Sequence, residues 1–440
     1  MPTTQEIKRI IKKQDVRYIQ CWFSDVLGNL KSFSITPGEL DVAIKEGMGF
    51  DGSSIEGFAR IEESDLLAKP DLDTFALIPW SENGRKSARF ICDILKPNEE
   101  PYEGDPRYVL RRAVDKAKSA GFIFYVGPEL EYFYFKSSKK PEIIDRAGYF
   151  DGAPADLGEA VREKTIEALQ SMGIYVEYSH HEVAPSQHEI DLRYDNGLAM
   201  ADKVMTYRFV VKEIARQNEL YATFMPKPVA GINGSGMHCH QSLFSGNKNA
   251  FYKKNDKRNL SDKAKQYVAG LLKYMPEITS VLNQWVNSYK RLVPGYEAPV
   301  YVAWGQKNRS ALVRVPNYKP GKEKASRVEL RSPDPAANPY LCFSVMLQAG
   351  LKGIEEKLKL IAPVEENIYE MNEKAREQAG IISLPGSLKE AVGLTAKSRL
   401  AKEVLGEHIF SKFVENKRIE WDKYRTHVSR FEVEEYLPVL

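Results

Sequence analysis

The feature that most limits how this chain can fold is the recurrence of charged residues at alternate positions inside otherwise strand-like segments. In Gly127-Pro128-Glu129-Leu130-Glu131-Tyr132-Phe133 two glutamates stand two residues apart, and the period of an extended strand puts both on one face. Alone, such a pair also fits a solvated outer face. Arg327-Val328-Glu329-Leu330-Arg331 repeats the pattern, with three charges on one face and Val328 and Leu330 on the other. A strand of this kind buries its apolar side and presents its charges to something polar, although a surface salt-bridge ladder would show the same spacing. In His180-His181-Glu182-Val183-Ala184-Pro185-Ser186-Gln187-His188-Glu189-Ile190-Asp191, Glu182 and Glu189 flank a proline-containing turn that can bring them together. Gly234-Ser235-Gly236-Met237-His238-Cys239-His240 adds two histidines at strand spacing. Alternation sends Cys239 to the opposite face, so joint zinc ligation by the three is geometrically poor.

If Glu129, Glu131, Glu182, Glu189 and Glu329 converge with His238, each carboxylate pair at roughly 5 Å repels by about 3 kcal/mol at an effective dielectric near 20. A marginally stable fold needs an offset, and divalent cations supply one. Carboxylate oxygens with a single imidazole suit Mg2+ or Mn2+ better than zinc. Arg309 and Arg314 lie in Asn308-Arg309-Ser310-Ala311-Leu312-Val313-Arg314-Val315-Pro316, and guanidinium groups beside such cations suit phosphate. No Walker lysine loop is present, so the combination points to phosphoryl transfer on a fold other than a P-loop.

Length and composition set the frame. The 440 residues exceed the size at which one hydrophobic core stops growing, so two domains are expected. With 63 Lys plus Arg against 60 Asp plus Glu, the charge is too balanced for generic binding to nucleic acid or anionic membranes. The opening MPTTQEIKRIIKKQ lacks a signal-peptide core, and no apolar run approaches a membrane span. Cys21, Cys92, Cys239 and Cys342 form no C-x-x-C pair, which favours neither a disulfide framework nor a cysteine zinc site. A soluble protein of the reducing cytoplasm is expected.

Thr3 and Glu6 have capping-box spacing ahead of Ile7, Ile10 and Ile11, predicting a first helix. Residues 16–36 read as a hairpin turning at Leu27-Gly28-Asn29, 85–95 as a strand, and 47–65 as a long loop. Pro97, Pro101 and Pro106 among acidic residues mark a linker, dividing residues 1–104 from 105–440. Beyond it, strands are predicted over 122–135, 174–194, 222–244 and 310–331. Helices are predicted over 108–120, 156–172, 197–218, 261–288 and 338–359. There is no fixed-period repeat.

Phe50-Asp51-Gly52-Ser53-Ser54-Ile55, residues 127–131, 181–191, 233–240, Lys290-Arg291-Leu292-Val293-Pro294-Gly295-Tyr296-Glu297-Ala298-Pro299 and 308–316 together resemble, in order and over nearly the whole chain, the signatures of type I glutamine synthetase in its short form. The resemblance implies an α+β fold: an N-terminal β-grasp domain, then a larger catalytic domain on a curved antiparallel sheet with flanking helices and a C-terminal helical tail. It implies ATP-dependent ligation of ammonium to L-glutamate through γ-glutamyl phosphate, in nitrogen assimilation, with two or three Mg2+ or Mn2+ per site. By resemblance, Glu131, Glu182 and Glu189 hold the cation nearer glutamate, and Glu129, His238 and Glu329 the one nearer the nucleotide phosphates. Arg309 and Arg314 steady the phosphoryl group, and Arg291 and Arg331 hold substrate carboxylates or the intermediate. Asn233 and Gly234 take the glutamate backbone. Glu177, Tyr194, His240, Ser242, Lys324 and Arg327 contact the nucleotide. Asp51 accepts the ammonium proton in a neighbouring subunit's site, and Glu297 belongs to a closing flap.

The resemblance further implies a homododecamer of two hexameric rings. The segment around Trp421, Tyr424, Val428 and Phe431 and the apolar end Tyr436-Leu437-Pro438-Val439-Leu440 would insert into the opposite ring. Arg60 resembles the short-form arginine linked to feedback inhibition by glutamine. Met371-Asn372 replaces the proline pair expected after an adenylylated tyrosine, so modification of Tyr369 is not expected. No membrane or direct nucleic-acid partner is expected, while regulatory protein partners stay open. A ligase for an organic amine, a non-catalytic ring protein and a metal-dependent phosphohydrolase are the competing readings; Asp51 and Glu297 favour ammonium over the first.

Overall fold

Alternating strands and an amphipathic helix build the N-terminal part. The computed structural model describes residues 2–55, 57, 64–81, 84–317 and 320–440. Arg60 and most of the expected 47–65 loop beyond Ile55 lie outside the described residues. In the first helix, Thr4–Lys13, the Thr3 hydroxyl accepts from the Glu6 amide, closing the expected capping box. Ile7 and Ile11 point inward from it. Strands β1 (Val16–Ser24) and β2 (Leu30–Ile35) form the expected hairpin. Gly28 in its turn has φ +78°, and a Cβ there would lie 2.8 Å from Asn338 Cα, so only glycine fits.

With β3 (Met48–Asp51), β4 (Asp65–Leu77) and β5 (Lys86–Leu95) these strands make a sheet ordered β2-β1-β5-β4-β3. Only the β1–β5 pairing is parallel. Ile7, Ile19, Cys21, Ala68, Phe90, Cys92 and Ile94 fill the core between sheet and helix. The sequence reading missed β4 and assigned β3 to the loop. Lys69, Asp71 and Asp73 break the apolar rhythm of β4, and Asp71 is committed to the ion cluster described below. All four cysteines are free and buried.

The second sheet is built on the long strand β6 (Ile123–Phe135). Around it run β7 (Val176–His181), β8 (Gln187–Leu192), β9 (Asp195–Asn196), β10 (Tyr221–Thr223), β11 (Met237–Ser245), β12 (Lys248–Asn249), β13 (Trp304–Gly305), β14 (Val313–Arg314) and β15 (Val328–Leu330). The path β13-β14-β15-β11-β6-β8-β7 is antiparallel except between β13 and β14. Three segments predicted as single strands are thus split by turns or long loops. Helices Pro106–Ser119, Gly197–Gln217, Asp262–Leu282 and Pro339–Glu355 pack together on the apolar side of this sheet. The predicted helix 261–288 stops at Leu282. Beyond it the side chains of Asn283 and Gln284 bond to the carbonyls of Ser332 (2.8 Å) and Leu27 (2.7 Å), a tertiary demand stronger than local propensity. The fold is α+β, as expected. No helix among the described residues is long and apolar enough to cross a membrane.

A buried ion cluster joins the two parts. Asp105 caps the helix Pro106–Ser119, accepting from the amides of Arg107 (2.9 Å) and Ile94 (3.1 Å). Arg107, 3% exposed, reaches Asp71 of β4 at 2.7 Å, Asp93 of β5, and both oxygens of Asp202 at 3.0 and 2.8 Å. The Tyr340 hydroxyl donates to Asp202 at 2.7 Å. Burial drives Asp93 up, but Arg107 and Arg111 override it and hold the carboxylate below its usual range. Removing the central cation strands three aspartates. Arg107→Met is expected to cost about 3–5 kcal/mol, whereas Arg111→Met, at a side chain 37% exposed, costs under about 1 kcal/mol. Chemical denaturation of both variants measures the contrast, and equal costs would refute the cluster's role.

Candidate active site

The register of four strands assembles the polar face. Glu129 on β6 stands opposite His238 of β11 on one side and Asp191 of β8 on the other. Two residues along, Glu131 stands opposite Glu189, which in turn faces His180 of β7. Glu329 of β15 lies opposite His240 and Arg314. Alternation turns Cys239 away, as expected; its thiol donates to the Met237 carbonyl. Atoms capable of ligation lie within 4.8 Å of one another in three groups on this face: Glu129, His238, Glu329; His180, Glu182, Glu189; and Glu129, Glu189, Asp191.

The first group is the predicted nucleotide-side trio. Glu129 meets His240 Nε2 at 2.7 Å and His238 Nδ1 at 3.3 Å. Arg327 Nε donates to His240 Nδ1 at 3.1 Å, so the proton of His240 sits on Nε2 and points at Glu129. Glu329 is fully buried between Arg331, at 2.5 Å, and Arg314. Burial opposes its charge, but Arg331, His240, His238 and Arg314 outweigh that and bring its pKa down to about 2. Glu129 is likewise held well below the carboxylate range, by hydrogen bonds from the two histidines against burial.

The second predicted trio is gathered in part. Glu182 and Glu189 share a group with His180, whose bond to Glu182 measures 3.0 Å. Glu131 instead accepts from Gln187 Nε2 (3.0 Å) and the Gly236 amide (2.8 Å), and lines a narrow pocket with Glu182, Asn233, Gly234, Arg291, Glu297 and Arg331. Burial and then the charge of Glu182 push Glu131 up to about 8. A Cβ at Gly234 would lie 2.3 Å from the Pro226 carbonyl and one at Gly236 2.6 Å from Arg291 Nη2, so both glycines are required for this close approach. Arg291 is buried and anchored on the carbonyls of Ser332 (2.7 Å) and Arg331 (3.3 Å). Glu297 stands at φ +60° in its loop, with Asn233 Nδ2 3.3 Å from its carboxylate.

The turn carrying Glu182 is pinned from behind. His181 bonds the Glu182 carbonyl through Nδ1 (2.7 Å) and Asp145 through Nε2 (3.0 Å), and Asp145 raises the imidazole pKa against burial. The neighbouring buried group of Asp156 and His188 already holds its cation, Arg162, at 2.6 and 2.8 Å. Glu177, Tyr194, His240, Ser242, Lys324 and Arg327, all six predicted nucleotide positions, line one cavity of about 320 Å³ together with Glu129 and Asp191. A larger cavity of about 770 Å³, between the 27–30 turn and Trp285, contains none of the carboxylates of the polar face.

Two predicted residues stand apart. Asp51, at the end of β3, is fully exposed, and its carboxylate, accepting from the Ser53 amide at 2.8 Å, is held below its usual range by that bond. Arg309 is exposed beside Tyr149, outside the lining of both pockets. The sequence reading assigned no role to His180 or Asp191. The alternation that singled out Glu129 and Glu131 marks them too, since each stands two residues from an assigned glutamate.

Family models match over most of the chain: "Glutamine synthetase, beta-Grasp domain" over residues 15–97 and "Glutamine synthetase, catalytic domain" over 103–436. A Thermotoga maritima glutamine synthetase is 51% identical over 439 residues, covering 99% of each chain. A Mycolicibacterium smegmatis glutamine synthetase is 51% identical over 437 residues, covering 98% of each. Among solved structures, a Plasmodium falciparum glutamine synthetase aligns with TM-score 0.90 at 26% identity, covering 99% of both chains. A GmaS/ADP complex aligns with TM-score 0.89 at 27% identity, covering all of both.

The raised carboxyls have a consequence for stability. Glu131, with an ordinary value of 4.5, keeps its proton in the cation-free fold up to about pH 8. Glu189 is raised well above 4.5 by burial and then by Asp191, Glu131 and Glu129. Between pH 4.5 and 8 the folded state therefore binds more protons than the unfolded chain, and this contribution to stability falls as pH rises. A divalent cation held by these carboxylates would take the place of those protons. The increase in Tm on adding Mg2+ is expected to grow from pH 6 to pH 9, followed by thermal melts with and without the ion; a pH-independent increment would contradict this account.

Proposed function

The chain belongs to the glutamine synthetase family and makes glutamine from glutamate, ammonium and ATP, and within that activity we propose a division of labour among its residues. One observation carries it: Glu129 and Glu131, two residues apart on β6, open into two adjoining pockets, one lined by the nucleotide candidates and one by the glutamate candidates. The family uses divalent cations, and the donor set fits them, being carboxylate-rich, with a single imidazole in the group of Glu129, His238 and Glu329 and in that of His180, Glu182 and Glu189. Mg2+ or Mn2+, two or three per site, is the reading that chemistry supports. Glu129, His238 and Glu329 would hold one on the nucleotide side, and Glu131, Glu182 and Glu189 another on the glutamate side. When bound, the cations neutralise charge on the phosphoryl oxygens and orient attacking and leaving groups.

The chain's own residues do the rest. Asn233, Gly234 and Arg291 hold glutamate, with its γ-carboxylate toward the nucleotide, in the pocket that they line together with Arg331. A γ-carboxylate oxygen attacks the γ-phosphorus of ATP, ADP leaves, and γ-glutamyl phosphate forms. Arg331 and Arg314, already aimed through Glu329, supply fixed positive charge to the transferring group, with Arg309 closing from outside. Glu297 and its loop exclude water from the acyl phosphate. Asp51 takes a proton from ammonium, and the freed ammonia attacks the γ-carbonyl carbon and expels phosphate.

Asp51 is not among the residues that line its own chain's two pockets, which supports a site completed by a neighbour in a homododecamer of two hexameric rings. The exposed apolar end, with Phe431 64% and Leu437 78% exposed, supports burial against another copy. We place the division between an N-terminal domain, 1–104, and a catalytic domain, 105–440, and the protein in the cytoplasm. The Tyr369 hydroxyl donates to the Ala298 carbonyl at 2.6 Å, which supports an unmodified tyrosine.

Phosphate and glutamine should appear together only when ATP, glutamate and ammonium are all present, with each omitted in turn and methylamine substituted once. Asp51→Ala should lower kcat by about 10²–10⁴-fold. Co-expression of Asp51→Ala with Glu329→Gln subunits should restore activity that neither variant has alone. Product only with methylamine would overturn the ammonium assignment, and absence of restoration would overturn the shared site. For Arg60, Arg60→Ala should weaken inhibition by glutamine while turnover stays near the parent rate; unchanged inhibition would exclude that role.

A further inference from the structure

We propose that Asn287 is a positioning residue for glutamate: its side-chain amide ties together the two walls of the pocket of Asn233, Gly234 and Arg291 without lining that pocket itself. The inference rests on the assignment of that pocket to glutamate above and adds a residue outside its lining.

One wall is the excursion of the chain between β10 and β11. Its base is closed by the Ser235 amide, which donates to the Pro226 carbonyl at 2.8 Å, and by the Lys227 ammonium, which donates to the Ile232 carbonyl. Asn233 and Gly234 stand within this closed loop, and Gly234 has no room for a side chain against the same Pro226 carbonyl. The other wall is Arg291, at the last position of the short helix Ser288–Arg291.

Asn287 bonds across from one wall to the other. Its Oδ1 accepts from the Lys227 amide at 2.7 Å, and its Nδ2 donates to the Lys227 carbonyl at 3.0 Å. One side chain thereby satisfies both backbone groups of a residue at the base of the loop, as a strand partner would. Its own carbonyl accepts from the Lys290 amide at 3.0 Å, so the same residue begins the turn that carries Arg291. The segment just before it is fastened from behind. Glu420, in the helix Glu407–Arg425, accepts from the Val286 amide at 2.9 Å and from Lys417 at 2.7 Å. Lys417 is fully buried with its ammonium 4.0 Å from the centre of the Trp285 ring, and the Trp285 indole donates to the Ala336 carbonyl at 3.1 Å. Trp285 and Val286 thus belong to the body of the domain, and Asn287 sets the loop against that fixed frame.

The consequence falls on one substrate. A small ligand held by groups on two walls is sensitive to their spacing. The nucleotide cavity, by contrast, takes none of its lining from residues 226–235 or 285–291.

Initial rates of the assembled full-length protein, with glutamate and ATP varied in turn, decide it. Asn287→Ala should raise KM for glutamate at least about tenfold and shift KM for ATP less than about twofold. Asn287→Asp keeps the volume and the bond from the Lys227 amide but sets an oxygen against the Lys227 carbonyl, and it should move the same constant in the same direction. Hydrogen exchange should quicken over residues 227–235 in both variants and stay at the parent rate along β6. A lower Tm with both KM values unchanged, or equal rises in the two, would mark a purely structural residue and overturn the inference. So would failure of both variants to assemble. Asn233→Ala is the control. If it leaves KM for glutamate unchanged, the assignment of the pocket falls; if it raises that KM while the Asn287 variants do not, only the positioning role falls.

Discussion

The structure depends on one electrostatic constraint: the ladder of β6 with its neighbours stacks carboxylates face to face in the interior of a sheet. Sheet register has a period of two, so these residues cannot be redistributed without turning the whole apolar set of each strand outward. Leu130, Ile190, Met237, Cys239, Val328 and Leu330 occupy the opposite face and are buried against the helices. The polar face is therefore secured by the packing of its back. Its cost is met locally by imidazole and guanidinium groups, and elsewhere by protons that a cation can replace.

Much of the remaining architecture reads as support for that face. Gly234 and Gly236 let the β11 approach pass close to Arg291, whose head is tied to the carbonyls of Ser332 and Arg331 rather than to an acid. Its charge thus stays available to an anionic ligand. The turn between β7 and β8 is pinned through His181 and Asp145, so Glu182 is positioned by an interaction on the far side of the strand. Arg107 performs the corresponding task between the sheets, where one buried cation satisfies three aspartates drawn from β4, β5 and the helix Gly197–Gln217.

The legible parts of this molecule were those in which a local period carries the information. Glu129 with Glu131, His238 with His240, and Arg327, Glu329 and Arg331 all fall on one face as alternation requires, and the capping box at Thr3 and the turn at Gly28 follow from local chemistry. Elements shaped by tertiary demand were not legible. The strand Asp65–Leu77 carries charges because Asp71 serves Arg107, and the helix ending at Leu282 yields to the side-chain bonds of Asn283 and Gln284. Asp191 and His180 stood in full view within a recognised motif. What sequence could not supply was the cross-strand register that sets Asp191 opposite Glu129 and His180 opposite Glu189.

That register also divides the face electrostatically. On the β15 side, Glu329 and Glu129 are ionised by built-in cations and donors, so a metal meets ready anions and must compete with Arg314, Arg331 and the two histidines. On the β8 side burial dominates: Glu189 is raised well above its ordinary range, Glu131 to about 8 and Asp191 to about 6. There a metal would displace protons instead of guanidinium groups. Cations bound to the two halves of this patch would enter by different exchanges, one meeting anions already formed and one displacing protons. The difference follows from where the arginines lie in the sheet order, beside β14 and β15, and from their absence among the residues that β7 and β8 turn toward the face.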